Sequence, residues 1–159
     1  MVNAIPEGFN TVSVYLVVPN SREAMEHYAA AFGAEVGCVM DAPGGGVLHA
    51  ELRIGDSTVM LTDANPQWQK KTPEEFGGSP ASLHVYVEDV DAAFGRAVEA
   101  GCQIAFPVSD MFWGDRYGQV IDKYGHTWGI ATHTEDVPEE EMGARAAEWF
   151  ASMGGEGSG

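Results

Sequence analysis

The chain has 159 residues, of which 45% are apolar, so it is long enough to bury a packed core as one domain or as two small modules that share a core. Its 8 lysines and arginines stand against 24 aspartates and glutamates, which gives a formal net charge of −16. This charge argues against nucleic acids and anionic membrane surfaces as partners, because both are bound through cationic contacts.

Membrane and redox signals are absent from the sequence. The first ten residues, MVNAIPEGFN, contain neither a basic region nor an apolar run, and no segment is apolar enough to span a bilayer. Cys38 and Cys102 lie in apolar contexts without C-x-x-C spacing, which favours reduced cysteines over a disulfide or a zinc site. We therefore expect a cytoplasmic protein with no membrane partner.

The first half of the chain predicts one strand, one helix and three further strands. Apolar residues alternate with other residues over positions 11–18, which is typical of a strand. Asn20, followed three residues later by Glu23, predicts the start of a helix, and Gly33 predicts its end. Three more strands, the last two joined by a tight Gly-Asp hairpin, are predicted over residues 36–40, 49–54 and 57–62.

The second half predicts the same order of elements after a loop-like linker, residues 64–80, that is rich in proline and polar residues. The stretch SLHVYVEDVDAAFGRAVEAG predicts a strand that runs directly into a helix ended by Gly101. Three strands are then predicted over residues 102–106, 117–121 and 127–132, with a loop over 108–114. A helix is predicted over residues 138–153, and the glycine-rich residues 154–159 are typical of a flexible tail.

The two halves are related by a steady offset of 69 residues, which drifts by one at the helix ends, from Gly33 to Gly101. Ser13 corresponds to Ser82, Val18 to Val87 and Met60 to Gly129 (82 − 13, 87 − 18 and 129 − 60). The sequence therefore predicts an α+β fold of two βαβββ modules, residues 11–63 and 81–133, whose sheets curve around a shared cleft.

Strand alternation predicts which side chains face that cleft. They are aromatic, thioether and small polar groups, which suit an amphipathic organic ligand. The candidate ligand-binding residues are Tyr15, His49, Glu51, Met60, His84, Tyr86, Trp113 and Arg116.

His84 is the most distinctive of these residues, since it lies in mid-strand between Ser82 and Tyr86. It could act as a general base, as a hydrogen-bond partner of a ligand or as a metal ligand, but a neutral histidine with a nearby hydroxyl or carboxylate partner is preferred slightly. His49 and Glu51 together with His84 could form a two-histidine, one-carboxylate iron set. We prefer a polar strand face in which Glu51 pairs with Arg53.

The loop FWGDRY, residues 112–117, offers two interpretations. Trp113 could stack on a flat ligand while Arg116 receives a carboxylate or phosphate. Alternatively, Asp115 and Arg116 form an ion pair and Trp113 packs between the modules. The ion pair is preferred for Asp115, and both interpretations stay open for Trp113 and Arg116.

Four stretches carry a resemblance to a known family: YLVVPNSREAMEHYAAAFGAE, HAELRIGDSTVMLTDANP, SLHVYVEDVDAAFGRAVEAG and FWGDRYGQVIDKYGHTWGIATHTEDV. Together they cover residues 11–137, and the chain resembles the vicinal oxygen chelate superfamily and, within it, the PhnB-like glyoxalase/bleomycin-resistance family. The resemblance implies one domain over residues 1–137, built as a cupped mixed sheet around a small-molecule cavity, and a homodimer. Edge strands or the terminal helix are the expected dimer contacts.

Catalytic members of that superfamily hold a divalent metal ion. The resemblance places the four glyoxalase-type ligand positions on Ser13, Met60, Ser82 and Gly129. None of these is a histidine, glutamate or glutamine, and a divalent ion of this kind needs imidazole or carboxylate donors. No metal ion or other cofactor is therefore expected.

The preferred function is metal-independent binding of a small organic molecule in the cleft, by sequestration of the drug-binding, antibiotic-resistance type. The acidic charge would favour cationic ligands. The alternative is a glyoxalase-like lyase or isomerase, or a dioxygenase, that uses His84 and Glu51 with a relocated divalent metal. A third possibility is a subunit whose partner supplies the missing function.

Overall fold

A computed structural model describes residues 1–154 as two four-stranded sheets, three helices and two short 3-10 turns. The first module consists of β1 (Val14–Val18), α1 (Ser21–Phe32), β2 (Glu35–Asp41), β3 (Val47–Ile54) and β4 (Ser57–Asp63). The second consists of β5 (Ser82–Tyr86), α2 (Val90–Glu99), β6 (Gln103–Asp110), β7 (Asp115–Ile121) and β8 (Thr127–His133). A terminal helix, α3 (Glu139–Gly154), follows. The predicted α+β fold of two βαβββ modules is confirmed.

The strand orders show that the two modules are built alike. The sheets have the orders β1-β4-β3-β2 and β5-β8-β7-β6, and in each sheet the first strand pairs in parallel with the last. Tyr15 lies opposite Met60 in the first sheet and His84 lies opposite Gly129 in the second, so the offset of 69 residues is also an offset in register. β1 and β5 each keep one edge that no strand of their own sheet covers.

Helix α1 begins and ends where the sequence predicts. The side chain of Asn20 accepts hydrogen bonds from the backbone amides of Arg22 and Glu23, which satisfies donors that a helix start leaves without partners. Gly33 has a φ of 66°, a left-handed conformation that glycine adopts without a Cβ clash, and it ends the helix. His27 on this helix is buried, at 5% exposed, with its Nε2 3.7 Å from Cys102 Sγ. Burial lowers the pKa of His27.

Several strands are longer than predicted, β6 by the most. β6 reaches Asp110, so the loop predicted over residues 108–114 shortens to the four residues between β6 and β7. Pro107 lies inside β6, which is an edge strand whose register shifts between Phe106 and Ser109. Proline is tolerated at edges and bulges because no ladder hydrogen bond is lost there.

The helices lie between the two sheets. α1 contacts β3 and β4 of its own module and α2 of the other, and α2 contacts β6, β7 and β8. The ring of Phe32 at the end of α1 stacks on Trp128 of β8 with a centroid distance of 4.1 Å. The order is therefore sheet, helices, sheet, and one continuous core includes residues of both modules.

A buried carboxylate joins the modules. Asp122 is 4% exposed and accepts hydrogen bonds from Tyr28 Oη of α1 at 2.7 Å and from Trp128 Nε1 at 2.9 Å. It also accepts from the backbone amides of Tyr124 and His126. Four donors satisfy this buried carboxylate. The contact between the modules therefore includes directional hydrogen bonds in addition to apolar packing.

This layering leaves each sheet with one face that its helix does not cover, called here the open face. Tyr15 on the first open face is 42% exposed, and Tyr86 on the second is 62% exposed. None of the helices within residues 1–154 has the length and apolar character needed to cross a membrane.

Candidate functional site

A cleft of about 770 Å³ follows the free edge of β5. Its walls are residues 82–87 on one side and the start of β1 with the β3–β4 hairpin on the other, and Phe32 and Trp128 contribute apolar surface. Ser13, Ser82, His84 and Tyr86 line this cleft. The other six sequence candidates, from Tyr15 to Arg116, do not line it, so the candidate residues fall into separate groups.

The open face of module one carries a short chain of hydrogen bonds. Tyr15 Oη is 2.8 Å from His49 Nδ1, and His49 Nε2 is 3.2 Å from Glu51 Oε1. Neighbouring strands β1, β4 and β3 set this geometry, since Tyr15 lies opposite Met60 and Met60 lies opposite Glu51. Burial raises the pKa of the Tyr15 phenol.

The linker adds a cation to this group. Lys70 Nζ lies 5.4 Å from the centroid of the Tyr15 ring, and an isolated bridge between Asn65 and Lys70 fixes the linker there. Sequence reasoning missed Lys70 because a linker has no periodicity from which a facing direction could be predicted. The expected Glu51–Arg53 pair does not form: Arg53 donates to the carbonyl oxygens of Gly8 and Gly55.

The open face of module two is aromatic. The rings of His84 and Tyr117 are parallel to within 8° at a centroid distance of 5.6 Å, and Tyr86 lies 4.8 Å from His84. A Cβ at Gly129 would lie 2.8 Å from the Tyr117 ring and 3.0 Å from His84 Nδ1. Only glycine lets the two rings lie across this position, so Gly129 forms the floor of an aromatic surface. Tyr117 lies two residues before Gln119, which is opposite Gly129, so the two share one face of β7, and this period of two is the signal that could have placed Tyr117 here.

Asp115 holds the end of this aromatic surface. It is 3% exposed and accepts hydrogen bonds from Tyr86 Oη at 2.9 Å, Trp113 Nε1 at 3.0 Å and His133 Nδ1 at 2.8 Å. Burial alone would raise the pKa of Asp115, but these three donors outweigh it and leave the pKa lowered. His133 also contacts Asp136 at 2.8 Å, and the hydrogen bonds to Asp136 and Asp115 raise the pKa of its imidazole.

The predicted ion pair between Asp115 and Arg116 is wrong. Adjacent strand residues point to opposite faces, and Arg116 binds Asp91 with two hydrogen bonds of 2.9 Å and Asp110 with one of 3.2 Å. Its guanidinium therefore has carboxylate partners already, and these raise its pKa. Trp113 packs edge-on against Tyr117, at 5.8 Å between centroids, and lies at the edge of the module-two open face.

The four family metal positions do not fit a divalent ion. Ser13 and Ser82 offer hydroxyls, Met60 a thioether and Gly129 no side chain, and the space above Gly129 holds the His84 and Tyr117 rings. Within residues 1–154, no group of three or more His, Cys, Asp or Glu side chains is arranged to hold a metal ion. The set of His49, Glu51 and His84 is divided between the two open faces.

Comparison with known proteins agrees with this architecture. The family model described as "Glyoxalase/Bleomycin resistance protein/Dioxygenase superfamily" matches residues 8–130. The uncharacterised protein Rv0887c of Mycobacterium tuberculosis is 42% identical over 137 residues, which are 84% of this chain and 80% of that protein. The crystal structure of TioX from Micromonospora sp. ML1 is 28% identical with a TM-score of 0.61, and the match covers 78% of this chain and 98% of TioX. A Bacillus cereus structure described as PhnB protein, 21% identical with a TM-score of 0.60, covers 77% of this chain and 99% of its own and shows the same fold.

Proposed function

Because the chain belongs to the Glyoxalase/Bleomycin resistance protein/Dioxygenase superfamily, we propose that it is a cytoplasmic, PhnB-like protein that binds a small organic molecule without a metal ion. The observation that supports this most strongly is the aromatic surface over Gly129. Where catalytic relatives need a metal ligand, this chain has a glycine that makes room for two stacked rings. Parallel aromatic rings offer a flat apolar ligand a surface on which to stack.

The charge of the chain supports a preference for cationic ligands. The net charge is −16, and carboxylates lie on or beside both open faces, with Glu51 on the first and Asp115 on the second. A flat aromatic cation would gain both stacking on the rings and long-range attraction. Sequestration of such a compound is the drug-binding, antibiotic-resistance role proposed for this protein.

We also propose that the working form is a homodimer. β1 and β5 are free edge strands, and a twofold-related copy could place its β5 beside this β1 and its β1 beside this β5. The module-one open face of one copy would then close over the module-two open face of the other. Sedimentation velocity tests this arrangement: a monomer at every protein concentration would contradict it.

A ligand-binding experiment tests the proposal directly. We expect proflavine, a planar aromatic cation, to bind saturably to protein purified without a metal-affinity step, and dialysis against EDTA to leave its affinity unchanged. His84→Ala should weaken binding about fivefold, since an aromatic contact contributes roughly 1 kcal/mol. Phe76→Ala, which removes an exposed linker ring that is 69% exposed, is the matched control and should bind like the wild type.

Two results would overturn the proposal. One is a stoichiometric divalent metal ion that elemental analysis finds in the wild type and that disappears in His84→Ala. The other is proflavine binding that is equal in His84→Ala and the wild type. Binding of fluorescein, an anionic aromatic compound, in preference to proflavine would refute the cation preference alone.

A further inference from the structure

The hydrogen bonds of Tyr15, His49 and Glu51 fix the direction in which a proton can move. Glu51 is a carboxylate and only accepts, so the contact between Oε1 and His49 Nε2 requires a hydrogen on Nε2. In the neutral imidazole Nδ1 is then the acceptor, and the phenol of Tyr15 donates to it at 2.8 Å. A hydroxyl bonded to a base, with the base oriented by a carboxylate, is the arrangement that activates an oxygen nucleophile.

The tyrosines of the chain differ in the basic group that accepts the hydrogen bond of their hydroxyl. Tyr28 and Tyr86 also donate their hydroxyls, but to the carboxylates of Asp122 and Asp115. A carboxylate is a much weaker base than an imidazole, and the lowered pKa of Asp115 makes it weaker still. Among residues 1–154, Tyr15 is the tyrosine whose hydroxyl bonds to an imidazole.

Burial and charge determine when the proton would leave. Burial raises the pKa of Tyr15, so the phenol keeps its proton in the resting protein. Proton transfer to His49 would therefore accompany bond formation at the phenol oxygen. Lys70 Nζ, 5.4 Å from the ring centroid, favours the negative charge that develops on the phenol at that moment. Tyr15 is 42% exposed, so a reagent can reach it.

We propose that Tyr15 is a reactive oxygen nucleophile and proton donor, with His49 as its base and Glu51 as the residue that orients the base. The site would take ligands with an electrophilic acyl, sulfonyl or phosphoryl centre. This inference adds a reactive centre on the open face of module one, whereas the binding proposal rests on the aromatic face of module two. Labelling of Tyr15 and binding of proflavine are measured separately, so either proposal can fail without the other.

An arylsulfonyl fluoride shows the step. Tyr15 Oη attacks the sulfur, a sulfur–oxygen bond forms, and the sulfur–fluorine bond breaks with release of fluoride. The phenol proton passes to His49 Nδ1, and the imidazolium keeps its Nε2–H bond to Glu51 until it releases a proton to water. No oxidant or reductant is needed.

The experiment is labelling of the full chain with p-toluenesulfonyl fluoride at neutral pH, followed by peptide mass spectrometry. We expect Tyr15 to react at least about tenfold faster than Tyr86, which is more exposed. His49→Gln should slow labelling of Tyr15 about 100-fold, the usual contribution of a general base, and Glu51→Gln should slow it less.

Controls separate the relay from a change in folding. Glu99→Gln changes an exposed carboxylate on α2 of the other module and should leave the labelling rate of Tyr15 unchanged. The comparison of Tyr15 with Tyr86 in the wild type requires no variant, so it stands even if His49→Gln does not fold. Equal rates at Tyr15 and Tyr86, or a wild-type rate in a folded His49→Gln variant, would overturn the proposal. Proflavine binding that survives in Tyr15→Phe would show that the binding site and the reactive centre are separate.

Discussion

The two modules use the same pair of residue types in exchanged positions. Module one has Tyr15 on its first strand and His49 on its third, whereas module two has His84 on its first strand and Tyr117 on its third. The first pair forms a hydrogen bond, with rings tilted by 49°, and the second pair lies parallel to within 8°. The same backbone therefore supports a hydrogen-bonded relay in one half and a stacked surface in the other.

The residue on the strand between each pair explains the difference. Met60 lies opposite Tyr15, and Gly129 lies opposite His84 at the equivalent register position. A thioether side chain occupies the space between the strands in module one, while the absence of a side chain in module two lets both rings lie over the sheet. We infer that this one position determines whether the pair is tilted and hydrogen-bonded or parallel.

The largest effect is expected where the two modules join. Asp122→Ala leaves the buried donors of Tyr28 and Trp128 without a partner, which should lower the free energy of unfolding by about 3 kcal/mol. Urea unfolding of this variant and of Glu88→Ala, an exposed carboxylate as control, measures the loss. Equal stability of the two variants would mean that the modules do not depend on this joint.

Gly129→Met gives module two the residue of module one. Its Cβ would lie 2.8 Å from the Tyr117 ring, so the stack must open, at a cost of about 1–3 kcal/mol for an overpacked site. The affinity for proflavine should fall because the stacked rings are displaced. Gly143→Ala in α3 is the control, because a Cβ there meets nothing within 4 Å and alanine favours a helix. Unchanged binding in Gly129→Met would contradict the explanation given for the difference between the modules.

Tyr86→Phe tests whether Asp115 holds the edge of the stacked surface. The variant removes one hydrogen bond of 2.9 Å to a buried carboxylate, which should cost roughly 0.5–1 kcal/mol in unfolding free energy. The pKa of Asp115 should rise because one of its donors is lost, and NMR titration of the carboxyl measures this. A pKa that stays constant would show that Trp113 and His133 alone satisfy the carboxylate.

The smallest effect depends on pH. It concerns the pair of Asp115 and His133, which module one lacks, since the positions 69 residues earlier are Gly46 and Ala64. Asp136 and Asp115 raise the pKa of His133. The contribution of these ion pairs to the stability of the fold is therefore fully present below the unfolded pKa of histidine, about 6.5. It is lost as the pH rises through the folded pKa. The difference in unfolding free energy between the wild type and His133→Gln should therefore be larger near pH 6 than near pH 9. A difference that grows with pH would have the wrong sign for this ion pair.

The sequence was sufficient for the elements and their repetition, because both are local properties. The alternation in β1 and β5, the cap at Asn20 and the 69-residue offset each follow from residues close together in the chain. The position of the helices between the sheets depends instead on contacts such as Phe32 with Trp128, which are far apart in sequence. No periodicity encodes which neighbour a helix will have on its outer side.

The site divides in the same way. Strand alternation grouped Tyr15, His49 and Glu51 on one face, and the structure joins them by hydrogen bonds. Gly129 was interpreted in sequence only as a missing metal ligand, since the need for a glycine there arises from two rings on other strands. Asp115 was paired with its neighbour Arg116 because sequence adjacency was the available signal, whereas its partners come from three separate segments.

The sheet–helix–sheet layering has a consequence for how such a duplicated chain can evolve. The two open faces belong to separate sheets that share one core, and the contacts of Tyr15 with His49 and of His84 with Tyr117 each stay within one sheet. After duplication, one copy of the module could gain a chemically active group while the other was selected for shape, with a single set of buried residues maintaining both. The exchange of tyrosine and histidine between the two modules is consistent with such a separation of roles.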